Sequence, residues 1–388
     1  MADRILKVAR VSTVPFFVIT QLSSQIQTLQ ALGAEITVVA SDDEFSGKMG
    51  TLRNVAFKPI NISRNISLLK DLVSLVKLFW AFKSGKFDIV HSTTPKAGLL
   101  CSIAAFLAGT PVRIHTFTGQ PWVTMSGIKS FTLKCCDKLI GALNTHCYTD
   151  SDSQRRFLVA SKIVKPESLT VLGCGSLAGV DLKRFDRARY SADDLASLRS
   201  QLSISDGDKV ILFVGRITQD KGIQELVDAF QRIASSNEVF HLVLVGPFED
   251  NGQAIVESVG DSTVASRIHS VGFSDEPEKY MAIADLLCLP SYREGFGTVV
   301  IEAAAMGLPT VGTDIYGLSD AVVDGVTGLL VPPRNSQALG SALVSLLIDD
   351  QARLRMAECA TARARADFDS VKCATLLLND YKRLLNER

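Results

Sequence analysis

The feature that most constrains the fold is an alternation of short apolar runs with helical patterns along the whole chain. Ile5–Val11, Ile36–Ala40 and Val210–Gly215 are apolar runs of strand length. Between such runs, apolar residues recur at helical spacing, as in the stripe Leu69, Leu72, Val73, Val76 and Trp80. This alternation is typical of parallel sheets wrapped by helices. We therefore predict an α/β fold with doubly wound parallel sheets.

The length of 388 residues predicts two domains. Glycines cluster at Gly173, Gly175 and Gly179, a polar stretch follows, and the strand pattern then starts again. We expect an N-terminal domain over 1–185, a linker over 186–205 and a C-terminal domain over 206–369. A helix near 370–388 is a candidate to pack back on the first domain. Both domains would be Rossmann-like and would face each other across a cleft at the carboxyl ends of their strands.

The charges divide unevenly although the net charge is zero. Residues 1–185 carry 22 Lys and Arg against 12 Asp and Glu, and the remaining residues carry 19 against 29. Such asymmetry indicates a polyanionic surface that only the first half meets. The alternative is that two domains of opposite charge attract each other. No recognised nucleic-acid-binding module is present, and we expect no nucleic-acid partner.

Basic side chains lie beside aromatic ones on helical segments of the first half, which suits an anionic bilayer surface. The alternative is a core helix with a solvated lysine face. The lysines are Lys70, Lys77, Lys83, Lys86, Lys129, Lys134 and Lys138, the aromatics are Phe79, Trp80 and Phe82, and Arg155 and Arg156 follow.

Cysteine usage and the N-terminus favour a reducing compartment. The eight cysteines form no CxxC pair and no zinc spacing with histidine. A strand pattern follows Met1 almost at once, so no signal peptide is expected. The apolar stretch Leu99–Ala108 is about half of the roughly 20 residues that a spanning helix needs. We expect a cytoplasmic protein, peripheral on the inner face of the cell membrane.

The run from Glu294 to Glu302 carries the clearest chemistry. Gly295 and Gly297 follow the first glutamate, and an apolar helix start at Thr298 leads to the second. The glycines let backbone approach a ligand, and the first amides of a helix form an anion site. A loop carboxylate, free amides and a helix carboxylate suit a sugar nucleotide, which is half diphosphate and half polyhydroxyl.

A basic element precedes this run in the same domain. Arg216 follows a predicted strand directly, and Lys221 opens a helix five positions later. Both side chains can point into the crevice above the sheet, where a diphosphate would lie.

Three motifs together give the chain a resemblance to the retaining GT-B glycosyltransferases of family 4, over most of its length. They are Gly215-Arg216 with Lys221-Gly222, Glu294-Gly295-Phe296-Gly297 with Glu302, and the stretch 324–331. The first half resembles the branch that builds bacterial capsule, exopolysaccharide and O-antigen units. The segments that carry this narrower likeness are 13–17, 91–98, 115–120 and Gly179-Val180-Asp181 with Phe185.

The resemblance implies roles for the donor-side residues. Arg216 and Lys221 would bind the donor diphosphate, Glu302 the nucleotide ribose, and Glu294 the hydroxyls of the donor sugar. The backbone amides of Gly295, Phe296, Gly297 and Thr298 would contact sugar and phosphate. In the front-face mechanism favoured for this family, the leaving diphosphate helps to deprotonate the acceptor. No cofactor is expected beyond the nucleotide-sugar co-substrate, and no metal, because two cations would stabilise the phosphate charge.

On the acceptor side, His115 is expected to end a strand at the cleft and to approach the donor sugar, as a histidine does in the family. Segment 12–17 lacks the Gly-Gly loop of many family members, so Pro15 and Phe16 would form an apolar lip for a polyprenyl chain. Thr94 and Lys96, in the 93–98 loop, complete the expected acceptor side.

The resulting hypothesis is a retaining transferase that moves a hexose or N-acetylhexosamine from a UDP-sugar to a polyprenyl-diphosphate-linked saccharide. Two alternatives stay open: a UDP-sugar epimerase or phosphorylase on the same fold, and a noncatalytic subunit that docks at the membrane. A nicotinamide oxidoreductase is disfavoured because no G-x-G-x-x-G follows the first strand.

Overall fold

The chain forms two compact units in the computed structural model, which describes residues 5–63, 67–236 and 239–387. The first unit comprises residues 1–179 and 370–388, and the second comprises residues 180–369. Each unit has its own parallel sheet and hydrophobic core. The predicted α/β class with doubly wound sheets is confirmed.

The sheet of the first unit has seven parallel strands in the order β3-β2-β1-β4-β5-β6-β7. The strands are β1 Lys7–Val11, β2 Glu35–Ala40, β3 Ala56–Pro59, β4 Ile89–Ser92, β5 Val112–Phe117, β6 His146–Thr149 and β7 Leu169–Val171. From β1 the chain continues to β2 and β3 on one side of the sheet, and from β4 it continues to β5, β6 and β7 on the other side. The carboxyl ends of the strands therefore converge at a switch point beside these two strands, where open α/β sheets place ligands.

Helices cover both faces of this sheet. They are α1 Pro15–Phe17, α2 Ser23–Ala31, α3 Leu68–Gly85, α4 Pro95–Ala108, α5 Gly127–Leu143 and α6 Asp152–Ala160, with α16 Ser370–Asn386 from the end of the chain. Alternate strand residues face opposite sides. Val8 thus belongs to the cluster packed by α2 and α16, and Ala9 to the one packed by α3 and α4. A single π-helical turn, Val18–Leu22, joins α1 to α2, so the helical segment begins at Pro15.

The sheet of the second unit has six parallel strands in the order β10-β9-β8-β11-β12-β13. The strands are β8 Lys209–Val214, β9 Phe240–Val245, β10 Ile268–Gly272, β11 Leu286–Leu289, β12 Thr310–Thr313 and β13 Gly328–Val331. Strands β9 and β11 are buried along their whole length and, apart from His241 in β9, consist of apolar residues, because both sheet faces are covered. Here the switch point lies beside β8 and β11.

The second unit has nine α-helices within its described residues. They are α7 Ala192–Gln201, α8 Ile223–Ala234, α9 Gly252–Glu257, α10 Ser262–Ala265, α11 Pro277–Ile283, α12 Thr298–Ala305, α13 Leu318–Ala321, α14 Ser336–Ile348 and α15 Asp350–Asp367. The short helix α12 carries the apolar run after Glu294 and packs on α15. Its first residue is the one that the sequence predicted.

The segment expected as a linker, 186–205, lies within the second unit. Ser191 caps α7 in a capping box with Asp194, and Leu202 and Ile204 pack on the core. Four apolar side chains of this polar segment anchor it to the core: Tyr190, Leu195, Leu202 and Ile204. Helix α16 belongs to the first unit, where it packs on α2, and the break between α15 and α16 falls at 368–369.

Candidate functional site

Two glycines hold the loops of the second unit close together at the carboxyl edge of its sheet. A Cβ on Gly222 would lie 2.0 Å from the carbonyl oxygen of Pro290, and one on Gly317 would lie 2.5 Å from that of Glu294. Both have positive φ, +73° and +83°. Only glycine combines this backbone with such close approach. The loop after β8 is thereby fixed against the loop after β11, and each carries one of the predicted donor residues.

Lys221 and Glu294 form an ion pair across these two loops. The Lys221 Nζ lies 2.6 Å from Glu294 Oε1, and both side chains are largely buried. Ser291 Oγ donates a second hydrogen bond to the same carboxylate oxygen, at 2.8 Å. The structure thus brings together two residues that stand 73 positions apart, and the two contacts fix the orientation of the carboxylate.

Arg216 is held by acidic side chains on its own unit. Its Nη1 donates to Glu249 Oε2 at 2.7 Å, and its Nη2 lies 3.8 Å from Asp220 Oδ2. Asp220 also pairs with Arg293, at 3.0 Å. Burial acts to lower the pKa of Arg216, but the hydrogen bond that Arg216 donates to Glu249 and the charges of the nearby acids outweigh it and raise this pKa. The guanidinium is therefore a permanent cation at the end of β8.

Glu302 lies one turn inside α12, as the sequence predicted. Among the described residues, its carboxyl makes no hydrogen bond and no ion pair. Although the residue keeps some accessible surface, burial raises the pKa of its carboxyl to about 7. The charge of Arg184 opposes that shift and the charge of Glu278 adds to it. Glu302 is therefore an unsatisfied acceptor that a hydroxyl-bearing ligand can pair.

Helix α12 begins without a side-chain cap. Gly297, at φ +86°, is the N-cap residue, and no described residue accepts a hydrogen bond from the backbone amides of Thr298 and Val299. Unpaired amides at a helix start attract anions. The side chain of Phe296 is buried against Phe368, with ring centroids 5.2 Å apart. Phe296 can therefore serve a ligand only through its backbone.

The expectation that His115 ends its strand is wrong, because β5 continues to Phe117. The side chain is 1% exposed, and its Nδ1 hydrogen-bonds with Ser92 Oγ at 2.9 Å. A Cβ on Gly98 would lie 2.4 Å from the ring, so helix α4 packs directly on it. Burial lowers the pKa of His115 to about 3, which leaves the ring neutral. The His115 ring therefore packs against the first turn of α4.

The predicted acceptor-side residues cluster at the carboxyl edge of the first sheet. Thr94 Oγ1 accepts a hydrogen bond from the Thr13 amide at 2.9 Å, which joins the ends of β1 and β4. Lys96 Nζ pairs with Asp71 Oδ1 at 2.7 Å, so α3 neutralises much of its charge. The two residues of the proposed lip differ in placement, since Pro15 is buried and Phe16 is half-buried against Phe45.

Asp150 is a buried carboxyl that the sequence analysis missed. It directly follows β6, at the same edge of the first sheet, and its Oδ1 has no hydrogen-bond partner among the described residues. Burial raises its pKa to about 8. Ser291, Glu249 and Arg184 were missed as well. Only Ser291 had a local signal, because it stands three positions before Glu294; the other two meet their partners through the tertiary fold alone.

Two structural features bear on metals and membranes. Over residues 5–63, 67–236 and 239–387, no three His, Cys, Asp or Glu side chains are grouped as metal ligands would be. Within the same ranges, every helix is too short or too polar to cross a bilayer.

Comparison with known protein families covers both units. The family described as "Glycosyl transferases group 1" matches residues 196–363, and the family described as "Glycosyl transferase 4-like domain" matches residues 18–175. The matches thus include every predicted donor residue in one unit, and His115, Thr94 and Lys96 in the other.

Individual relatives agree with these matches. The Staphylococcus aureus capsular polysaccharide biosynthesis glycosyltransferase CapM is 29% identical over 366 residues, or 94% of each chain. The Escherichia coli UDP-Gal:alpha-D-GlcNAc-diphosphoundecaprenol alpha-1,3-galactosyltransferase is 27% identical over 317 residues, or 78% of each chain. The crystal structure of Anabaena HepE in complex with UDP and glucose is similar in fold, with a TM-score of 0.80 at 20% identity, covering 97% of this chain and 100% of that one.

The two sheets, the donor-side motifs and these matches define a class: the chain belongs to the two-domain glycosyltransferases of the GT-B fold. Within that class it falls in the capsule and O-antigen branch, as the four segments of its first half predicted.

Proposed function

We propose that this glycosyltransferase moves a hexose or N-acetylhexosamine from a UDP-sugar to a polyprenyl-diphosphate-linked saccharide, with retention of anomeric configuration and without a metal ion. The observation that carries the donor half is the arrangement in the second unit: an unpaired Glu302 carboxyl, uncapped α12 amides, and the cations Arg216 and Lys221. The E. coli relative, whose name specifies a UDP-sugar donor and a diphosphoundecaprenol acceptor, supports the choice of substrates.

The proposed donor contacts follow from charge and hydrogen-bonding capacity. Arg216 and Lys221 would bind the diphosphate together with the Thr298 and Val299 amides. Glu302 would accept hydrogen bonds from the ribose hydroxyls. Glu294, oriented by Ser291, would accept hydrogen bonds from the donor sugar.

The same cations would supply most of the rate enhancement. Negative charge grows on the leaving diphosphate as the glycosidic bond breaks, and fixed cations stabilise it. In the front-face mechanism implied by the family, the leaving phosphate takes the proton of the acceptor hydroxyl. The protein then positions the two substrates and stabilises charge. We assign His115 a supporting role beneath α4, because its buried ring contacts Gly98 and Ser92.

The acceptor side is proposed for the first unit. Thr94 joins β1 to β4 at the switch point, and Lys96, Pro15 and Phe16 lie in the neighbouring segments. A polyprenyl acceptor is embedded in a bilayer, so the anionic inner face of the cell membrane becomes the second partner and the place of action.

Turnover tests the proposal. Purified protein is incubated with UDP-sugars and GDP-sugars, with and without a polyprenyl-diphosphate-linked N-acetylglucosamine acceptor, in the presence of EDTA. We expect an acceptor-dependent disaccharide product from a UDP-sugar, with the anomeric configuration of the donor in its NMR spectrum. Conversion of a UDP-sugar without acceptor would indicate an epimerase. No turnover with any nucleotide sugar would refute transferase activity, and product formation only with added Mg²⁺ would refute metal independence.

A further inference from the structure

Helix α3 has two apolar faces, and the first unit covers only one of them. Ser74, Leu78 and Ala81 face inward and are buried. The outward stripe consists of Leu68, Leu69, Leu72, Val73, Val76 and Trp80, all exposed. Leu68 and Leu69 are 84% and 80% exposed. A surface helix of a globular protein normally has one apolar stripe, directed at the core. The second stripe therefore calls for a partner outside this unit.

Helix α5 repeats the pattern. Ile128, Phe131 and Leu139 are exposed and lie at positions i, i+3 and i+11, on one side of the helix. Ile128 and Phe131 are 85% and 70% exposed. Large apolar side chains scattered singly on a surface are ordinary, but aligned stripes on neighbouring elements mark an interaction site.

The two stripes belong to the same side of the first sheet. Helix α4 contacts both α3 and α5, so it lies between them. Neighbouring helix axes are about 8–10 Å apart, which places the stripes roughly 20 Å from each other. The Lys96–Asp71 pair ties the first turns of α3 and α4. Helix α5 begins after the loop that follows β5. The most exposed apolar residues therefore lie at the carboxyl edge of the sheet, with the acceptor-side segments.

The exposed charges on these helices have one sign. Both helices are described in full, and all their exposed charged side chains are lysines: Lys70, Lys77, Lys83, Lys129 and Lys138. The acidic side chains of these two helices are not exposed. Asp71 pairs with Lys96, and Asp137 is buried and accepts a hydrogen bond from Trp122 Nε1 at 2.7 Å. An apolar stripe bordered by lysines is complementary to a bilayer with anionic headgroups.

We propose that the outer faces of α3 and α5 form a docking surface for an anionic phospholipid bilayer, with Leu68, Leu69, Ile128 and Phe131 inserted below the headgroups. The purpose of this α3–α5 surface rests on the proposed function, because it assumes a lipid-linked acceptor. The evidence for the surface itself does not depend on that acceptor. Docking there would bring the carboxyl edge of the first sheet to the membrane, where a polyprenyl-diphosphate presents its polar end. Trp80 is the aromatic residue that α3 contributes to this surface, because Phe82 is buried in the core.

Vesicle co-sedimentation of the full chain tests this surface. We expect wild-type protein to bind vesicles of phosphatidylglycerol and phosphatidylethanolamine, to bind phosphatidylcholine vesicles weakly, and to dissociate at high salt. The variant Leu69→Ser/Ile128→Ser/Phe131→Ser should lose about tenfold or more in vesicle affinity. The variant Lys77→Glu/Lys129→Glu/Lys138→Glu should lose anionic binding selectively. Ile348→Ser/Leu354→Ser, which alters exposed apolar residues of the second unit, is the matched control and should bind like wild type.

Tryptophan fluorescence gives a second, local measurement. The chain has two tryptophans, and Trp122 is buried whereas Trp80 is exposed. Anionic vesicles should shift the Trp80 emission to the blue, and Trp80→Phe should abolish the shift. Unchanged circular dichroism and melting temperature in each variant exclude misfolding as the cause of lost binding.

Three outcomes would overturn the docking surface: equal vesicle binding by the triple serine variant, no vesicle binding by wild type, or wild-type dimers in vesicle-free ultracentrifugation that the serine variant dissociates. The last would make these helices an interface between two copies. Turnover with a water-soluble, short-chain acceptor is a separate measurement. The serine variant should keep it, and its absence in wild type would count against the proposed function and leave the docking surface standing.

Discussion

The ammonium group of Lys221 lies 2.6 Å from the Glu294 carboxylate, across the two loops that end β8 and β11. Both groups are assigned to the donor in the proposed function, one to its diphosphate and the other to its sugar. Each neutralises the other, which keeps two largely buried charges paired. Under the proposed function, donor binding would replace this ion pair, with the phosphate binding the lysine and the sugar hydroxyls binding the carboxylate.

Glu294→Gln should affect turnover chiefly. The amide keeps the shape of the side chain but loses the charge that accepts sugar hydroxyls as the transition state forms. We expect kcat to fall on the order of 100-fold, with UDP affinity changed less than about threefold. Steady-state rates and UDP calorimetry measure the two effects, and Glu257→Gln on the exposed side of α9 is the control. A loss confined to UDP affinity would show that the assignment is wrong.

Glu302→Gln should affect donor binding chiefly and should remove its pH dependence. The carboxylate is the form that accepts ribose hydroxyls, and its pKa in the free protein is raised to about 7. The ionised fraction grows about tenfold between pH 6 and pH 8, so wild-type UDP affinity should grow by a similar factor. UDP calorimetry over this range should show the increase in wild type and a flat, weaker profile in the variant. An equal slope in both proteins would assign the titration to another group.

Asp150→Asn should stabilise the first unit at alkaline pH. Burial raises the pKa of Asp150 to about 8, whereas the unfolded carboxyl titrates near its ordinary value. The folded state thus favours the protonated form, and stability is lost as the pH rises from the unfolded pKa to the folded one. We expect the advantage of the variant in melting temperature to grow between pH 5 and pH 8 and to level off above. The exposed Asp206→Asn should show no such trend; a constant offset for Asp150→Asn would contradict the linkage.

Gly222→Ala should impair both stability and UDP binding. The added methyl group meets backbone, 2.0 Å from the Pro290 carbonyl oxygen, at a φ of +73°. The loops carrying Lys221 and Glu294 must then separate. Gly325→Ala has a similar φ, +71°, and open space around it, so it measures the backbone strain alone, about 1 kcal/mol. Thermal unfolding and UDP calorimetry should show a larger loss for Gly222→Ala in both quantities, whereas equal losses would mean that the loop contact is unimportant.

His115→Ala should lower stability and leave nucleotide binding intact. Removing the ring leaves a cavity beneath Gly98 and breaks the hydrogen bond to Ser92. Core truncations of this size cost about 2–4 kcal/mol. Thermal unfolding should therefore shift while UDP calorimetry does not. If kcat collapses at a temperature where the variant is fully folded, His115 acts in the reaction more directly than its burial indicates.

The positions of the proposed donor residues within the fold could be predicted from the sequence because the signals are local. The spacing of Arg216 from Lys221, and of Glu294 from Glu302, lies within single strand–loop–helix segments. The periodicity and the glycines mark where each segment turns, so the start of α12 at Thr298 was predicted correctly. His115 was misplaced because a strand end depends on pairing with its neighbours: β5 continues to Phe117 opposite Thr149 of β6. The expected linker, 186–205, lies within the second unit because a few apolar side chains hold this polar segment to the core.

The sequence by itself determined the alternating α/β plan, the two sheets and the residue types of the proposed donor side, since these depend on patterns within about ten to twenty neighbouring residues. Only the tertiary structure decided which charges meet. It paired Lys221 with Glu294 and Arg184 with Glu278, left Glu302 unpaired, and buried Asp150. It also decided which apolar faces remain exposed on α3 and α5. Burial and charge pairing depend on segments far apart in the chain, and for that reason periodicity alone does not reveal them.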